Sequence, residues 1–160
     1  MEGIVHASRY DPNAPRKQFL GATIECGDGK EWVIDYDEQS PYHSFADRQV
    51  VVSGEPYQPD GQQIGGGRIA GHLLVSTMRL VDLKADAELV EIGPGQRLSG
   101  RFERGPGDIG EPMLSFVTDK GDAFVVANDP AGVSVGPSVE VWAYPVQPSP
   151  SIQKPPGRYL

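Results

Sequence analysis

The sequence predicts an all-β protein made of two small five-stranded barrels in tandem, the second shorter than the first, with a proline-rich C-terminal tail. The 20 glycines and 15 prolines make up about a fifth of the 160 residues, whereas average usage is about 12%. Aromatic and β-branched residues remain plentiful, which favours packed strands over disorder. A turn, an alternating strand, a short crossover and a further strand occur twice, around Trp32 and around Phe124.

The first predicted barrel covers residues 1–84 and contains five strands. These strands are expected at 4–10, 20–26, 30–36, 50–53 and 72–83, with a helical turn at 41–47. In the third strand, Trp32, Ile34 and Tyr36 fall on one face, and Val33 falls on the other with the acidic residues. Burial of unpaired carboxylates is costly, so the aromatic face is expected to point into the core.

The second half repeats this order after a linker at 85–97. Its strands are expected at 98–103, 113–118, 123–128 and 139–144, within a barrel that spans 98–148. Gly121 and Phe124 follow Gly29 and Trp32 by the same offset, which predicts an internal repeat. Phe124 and Trp142 are assigned to the core. The tail, 149–160, has room for only a vestigial last strand at 158–160.

The order of strands from Ile4 to Leu83 resembles that of the OB-fold barrel, and an SH3-like barrel would share much of the pattern. The resemblance lies in strand order and spacing. It implies that ligands bind on the second and third strands and on two loops, the one between strands one and two and the one between strands four and five.

The charge balance narrows the classes of partner. Fourteen basic and 22 acidic residues give a net charge of −8, which repels duplex DNA and anionic membranes. The charge either simply keeps the protein soluble or provides an acidic face for a basic partner. No apolar run approaches the roughly 20 residues of a membrane span. No signal peptide is recognisable at the N-terminus, so a cytoplasmic location without membrane contact is expected, or export by a route that needs no N-terminal signal.

No pattern of reactive side chains indicates catalysis, a metal or a cofactor. The single cysteine, Cys26, excludes an internal disulfide and is expected to be an inert thiol on an inward strand face. Asp35, Asp37 and Glu38 lack the other ligands of a calcium loop, and the three histidines are too far apart in sequence for a recognisable zinc motif.

These observations predict a non-enzymatic interaction protein, such as an inhibitor, an immunity-type protein or an assembly subunit. It would bind a protein partner through the acidic face of the first barrel and through its loops. Tyr10, Tyr42 and Tyr57 are expected at the surface, where they would be interface anchors. The predicted partner-binding residues are Glu25, Glu31, Asp35, Asp37, Tyr10 and Tyr57.

A single-stranded nucleic-acid-binding protein is the alternative from another class. Four of the basic residues of the first half fall on the loops that an OB-like barrel would use. These residues are Arg9, Arg16, Lys17 and Arg68. An enzyme with a site shared between the barrels stays open as a third possibility.

Overall fold

The computed structural model describes residues 1–7, 12–13, 18–38, 40–59, 68–82, 87–106, 112–127, 132–150 and 157–160. The chain divides into two compact units, Met1–Lys84 and Ala85–Leu160. Within the described residues, regular structure is β-strand apart from one short 3-10 helix, so the predicted all-β class is confirmed. In those same ranges no helix has the length and apolar character needed to cross a membrane.

The first unit is a closed five-stranded barrel. Its strands are β1 (Glu2–Ala7), β2 (Ala22–Cys26), β3 (Glu31–Asp35), β4 (Gln49–Tyr57) and β5 (Ile69–Leu80). They pair in the cyclic order β1–β2–β3–β5–β4, and β4 returns to β1. The β3–β5 pairing is parallel and the other four are antiparallel. The predicted closed barrel in the first half is therefore confirmed.

Alternating residues of these strands fill the barrel. Val5, Ile24, Val50 and Met78 are fully buried. Trp32 is the cross-strand partner of Ile24 and so shares its inward face. The Trp32 ring also covers Gly71, where a Cβ atom would lie 3.0 Å from the ring.

The predicted facing of the third strand is only partly right. Trp32 faces the interior as expected, but Tyr36 lies just after the last residue of β3 and is 51% exposed. Val33 is buried although it lies on the opposite, outward face. Strand alternation therefore predicts the faces of Trp32 and Val33 correctly but does not extend to Tyr36 beyond the end of β3, and other residues cover part of the outer face.

A glycine turn and a capped helix connect the barrel strands. In the β2–β3 hairpin, the Gly29 amide donates to the Cys26 carbonyl at 2.9 Å, and Gly29 has a φ of 74°. The 3-10 helix, Pro41–Phe45, begins where the Ser40 hydroxyl accepts a hydrogen bond from the Tyr42 amide. Tyr42 is 3% exposed, so its expected surface position was wrong.

The second unit has six short strands. They are β6 (Leu89–Ile92), β7 (Gln96–Pro106), β8 (Pro112–Thr118), β9 (Ala123–Val125), β10 (Ser138–Ala143) and β11 (Val146–Pro148). One antiparallel sheet has the order β10–β7–β8–β9, and β6 pairs with β11. The four-stranded sheet is not closed among the described residues, so a second barrel is not confirmed.

The chain end connects two parts of the second unit. Tyr159 forms a parallel bridge to Val125 of β9 and an antiparallel bridge to Val146 of β11. The Val125 amide donates to the Arg158 carbonyl at 2.8 Å, and the Leu160 amide donates to Val125 at 2.9 Å. The sequence predicted a vestigial strand at 158–160, and the structure has isolated β-bridges there, at Tyr159.

Candidate functional site

The candidate site lies on the outer face of the first barrel, where four strands place side chains in one row. Cross-strand pairing puts Thr23, Val33, His72 and Tyr57 side by side on this face, which is opposite to that of Ile24 and Trp32. Thr23, Val33 and His72 are nevertheless buried. Something on the outside of the barrel must therefore cover them.

Over His72 this cover consists of the Tyr36 and Tyr57 rings, and Phe19 packs against Tyr36; we call Phe19, Tyr36 and Tyr57 the aromatic cluster. The Tyr36 ring stacks on the His72 imidazole with centroids 5.5 Å apart, and the Tyr57 ring lies 5.3 Å away at a tilt. Phe19 meets Tyr36 edge to face at 5.6 Å. His72 is completely buried, whereas Phe19, Tyr36 and Tyr57 are 38%, 51% and 44% exposed.

A side-chain hydrogen bond holds the cluster together. The Tyr36 hydroxyl and the His72 Nε2 share this bond, and the direction depends on the histidine tautomer. The other ring nitrogen, Nδ1, is buried and has no hydrogen-bond partner among the described residues. Burial raises the pKa of Tyr36, and the nearby Tyr57 hydroxyl raises that pKa further. Tyr36 therefore remains a neutral phenol at physiological pH.

Glu25 and Glu31 lie on the same outer face as the row, two residues from Thr23 and Val33. They are cross-strand partners, so two like charges face each other. His6 lies 3.3 Å from the Glu25 carboxylate and can neutralise part of this repulsion when it is protonated. Two of the predicted partner-binding residues are thus adjacent on one surface.

Asp35 and Asp37 follow at the end of β3, but the Asp35 carboxylate already has backbone partners. Its Oδ1 accepts hydrogen bonds from the Tyr36 amide at 2.7 Å and from the Asp37 amide at 3.1 Å. This carboxylate therefore fixes the turn that carries the Tyr36 ring back over His72. Asp37 is exposed just beyond that turn.

The remaining predicted site residues are located only in part. Tyr57 belongs to the aromatic cluster, whereas Tyr10 lies outside the described residues. Arg68 is exposed, and its carbonyl accepts a hydrogen bond from the Glu31 amide at 2.9 Å. The other three predicted nucleic-acid-binding residues, Arg9, Arg16 and Lys17, also lie outside the described residues.

The lone thiol, Cys26, lies at the end of β2 beside the N-terminus. Cys26 is half-buried, and its Sγ donates to the Met1 Sδ at 3.7 Å. Burial and the nearby Asp28 carboxylate raise the pKa of this thiol, so it stays protonated. No group of three or more potential metal ligands occurs within the described ranges.

Sequence reasoning missed most of the aromatic cluster. The sequence pattern gives no indication for Phe19 and predicts a core position for Tyr36. It indicates His72 only as a strand residue and as one of three histidines too dispersed for a zinc motif. The available signal was Tyr57, an exposed aromatic residue at the end of a strand and next to a loop. No protein-family model matches this chain, and no curated protein or solved structure shows significant similarity to it.

Proposed function

We propose that this protein is a non-enzymatic binding module whose first unit is an OB-like barrel that contacts a basic protein partner through its outer face. The cyclic order β1–β2–β3–β5–β4, with a helical turn between β3 and β4, supports the OB-like assignment. In that fold, ligands bind the β2–β3 face and the β1–β2 and β4–β5 loops. The fold analogy alone does not determine a function.

The observation that carries the proposal is the coincidence of exposed rings and carboxylates on that same face. Phe19 precedes β2, Tyr36 follows β3, and Tyr57 ends β4. Glu25 and Glu31 lie on the neighbouring part of the surface. Aromatic anchors with an acidic surround favour a cationic protein surface, because aromatic residues are enriched in interfaces and opposite charges steer association.

The test is capture of partner proteins from a cell extract on the immobilised protein. In a double variant, Glu25→Lys with Glu31→Lys, the charge of the cross-strand pair is reversed while two like charges remain opposite each other. We expect this variant to lose partners that the native protein retains.

Glu88→Lys with Glu91→Lys is the matched control, because it changes the net charge equally at the second unit. This control should retain the partners. If all three proteins capture the same set, the outer face of the first barrel is not the binding surface and the proposal is wrong.

Single-stranded nucleic acid is a second candidate, favoured by the exposed rings alone. Bases stack on such rings in many OB-fold proteins. The carboxylates on the same face would repel the phosphates, however, which is why we rank a basic protein first. An oligonucleotide whose binding is lost when Arg16 and Lys17 are replaced by Ala would reverse this order.

A relationship between the two units is a further part of this proposal. In the second unit, the Gly121 amide donates to the Thr118 carbonyl, as Gly29 does to Cys26 in the first. The strand residues opposite Cys26 and Thr118 are Gly3 and Gly100, and a Cβ at either glycine would lie within 2.3 Å of a backbone carbonyl oxygen. These correspondences support an internal repeat of one barrel plan.

A further inference from the structure

Four exposed apolar side chains lie close together on the outer face of the first barrel. Leu74 is 63% exposed and lies on the same face of β5 as His72, beside the aromatic cluster of Phe19, Tyr36 and Tyr57. Single exposed apolar residues need no explanation, but a contiguous patch with several rings indicates a binding surface. Tyrosine suits such a surface because it has both an apolar ring and a polar hydroxyl.

Carboxylates lie on both sides of this patch. Glu55 is two residues from Tyr57 on the same face of β4, or about 7 Å along the strand. Glu31 is likewise two residues from Val33, which is next to His72. Both glutamates lack an ion-pair partner among the described residues. The rings therefore lie between two carboxylates that no basic side chain of the described residues neutralises.

We propose that the aromatic cluster, with the flanking carboxylates of Glu31 and Glu55, binds an arginine side chain on a basic segment of the protein partner. This inference rests on the proposed function and identifies the chemical group that is recognised there. The planar guanidinium stacks on tyrosine faces and binds carboxylates through its forked N–H donors. The exposed Tyr36 and Tyr57 rings supply the faces, and the glutamates supply the acceptors.

The negative charge beside the aromatic cluster favours an arginine side chain over other ligands that could stack on the rings. A single-stranded nucleic acid would place phosphates beside Glu31 and Glu55 and would be repelled. A neutral sugar would stack on the rings without drawing on the carboxylate charge. Only a cation benefits from the ring quadrupole and from the carboxylates together.

The experiment is an NMR titration of the full chain with the peptide acetyl-Gly-Arg-Gly-Arg-Gly-amide. The matched probe replaces both arginines with citrulline, which keeps the shape and removes the charge. We expect the arginine peptide to shift the His72 imidazole and Tyr36 ring resonances, and the citrulline peptide to bind at least about tenfold more weakly, as expected on loss of charge-assisted contacts. Equal binding of the two peptides, or no shift with either, would overturn the inference.

Single-residue variants test whether the arginine peptide binds at the aromatic cluster. Tyr57→Ala should weaken the arginine peptide by about tenfold, and Tyr57→Phe should keep most of the affinity because it retains the ring. Glu55→Gln changes an exposed side chain and should weaken binding several-fold without affecting the fold. Trp142→Ala, which removes a more exposed ring from the second unit, should leave the affinity unchanged. Unaltered binding by both Tyr57→Ala and Glu55→Gln would overturn the inference.

Two further results separate this inference from the proposed function. If an oligothymidylate shifts the cluster resonances more strongly than the arginine peptide does, nucleic acid is the occupant and the inference is wrong. If partner capture is lost in Glu25→Lys/Glu31→Lys but is unaffected in Tyr57→Ala, the proposed function stands and only the arginine site fails. If capture does not depend on the acidic pair either, both fail.

Discussion

Asp35 is an acidic residue of the candidate surface whose carboxylate stabilises the backbone of a turn. Its Oδ1 accepts two amide hydrogen bonds, from Tyr36 and Asp37. We expect Asp35→Ala to lower the free energy of unfolding by about 1 kcal/mol, because these bonds are solvent-exposed. Asp35→Asn keeps an acceptor oxygen and should lose less than half as much in a denaturant titration.

Replacement of the neighbouring Glu38 by Ala is the control for this prediction, because Glu38 is exposed and does not cap the turn. It should change the unfolding free energy by less than about 0.5 kcal/mol. Equal losses in Asp35→Ala and in this control would show that the turn hydrogen bonds do not stabilise the fold.

Tyr36 should make the stability of the protein depend on pH in the alkaline range. Partial burial and the Tyr57 hydroxyl raise its pKa in the folded state above the ordinary tyrosine value of about 10. The folded state therefore binds the proton more tightly than the unfolded state does. The stabilisation is complete below pH 10 and is lost as the pH rises through the folded-state pKa.

The measurement is denaturant unfolding at a series of pH values, for the native protein and for Tyr36→Phe. The phenylalanine variant loses the hydrogen bond to His72 at every pH, which displaces its whole curve. Above pH 10 its stability should fall less steeply than that of the native protein. Parallel curves in this range would contradict the assignment.

Single residues show where the sequence sufficed and where it did not. The alternation around Trp32 predicted its inward face, because a strand repeats every two residues and Ile24 lies opposite. The burial of His72 depends on Tyr36, 36 positions away in sequence, and no local pattern encodes such a contact. Trp142 was assigned to the core but is 63% exposed, since β10 is an edge strand with one solvated face.

The elements were predicted best where turn residues flank long strands with an alternating pattern. The β2–β3 hairpin was recognisable because only glycine readily adopts the φ of 74° that Gly29 has. The fourth strand was expected to end at residue 53, but β4 continues through a bulge at Ser53–Gly54 to Tyr57. A β-bulge bends and twists a strand without ending it. Tyr57 therefore lies outside the predicted strand although it is the last residue of β4. β6 and β11 were missed because Pro and Gly flank these very short strands.

Tyr159 should contribute strongly to the stability of the second unit. Tyr159 is buried, and its backbone forms β-bridges to both β9 and β11. We expect Tyr159→Ala to destabilise this unit by about 3 kcal/mol through the lost ring contacts and the cavity. Tyr159→Phe keeps the ring and should cost about 1 kcal/mol or less.

Each unit contains one tryptophan, so NMR detection of the two indole N–H groups reports on the units separately. The denaturant midpoint read at Trp142 should fall in Tyr159→Ala and remain nearly native in Tyr159→Phe. An unchanged midpoint at Trp142 in Tyr159→Ala would show that residues 157–160 do not stabilise the second unit.

For the whole molecule, two electrostatic effects of different range would act on a cationic partner of the kind proposed above. The net charge of −8 attracts it from a distance. The carboxylates of Glu31 and Glu55 act only near the aromatic cluster, about 7 Å along their strands. The Debye length separates these effects, because it is about 30 Å at 0.01 M ionic strength and about 8 Å at 0.15 M.

We therefore predict that the arginine peptide binds several-fold more weakly at 0.15 M than at 0.01 M ionic strength. Two variants that each remove one negative charge should differ in how their effect on binding depends on ionic strength. Glu55→Gln should weaken binding at both ionic strengths, because its carboxylate lies within the shorter screening length of the cluster. Asp82→Asn removes the same charge beyond the far end of β5, so it should have a small effect at 0.01 M and none at 0.15 M. Equal effects of the two variants at 0.15 M would mean that net charge alone attracts the peptide and that the cluster has no specific role.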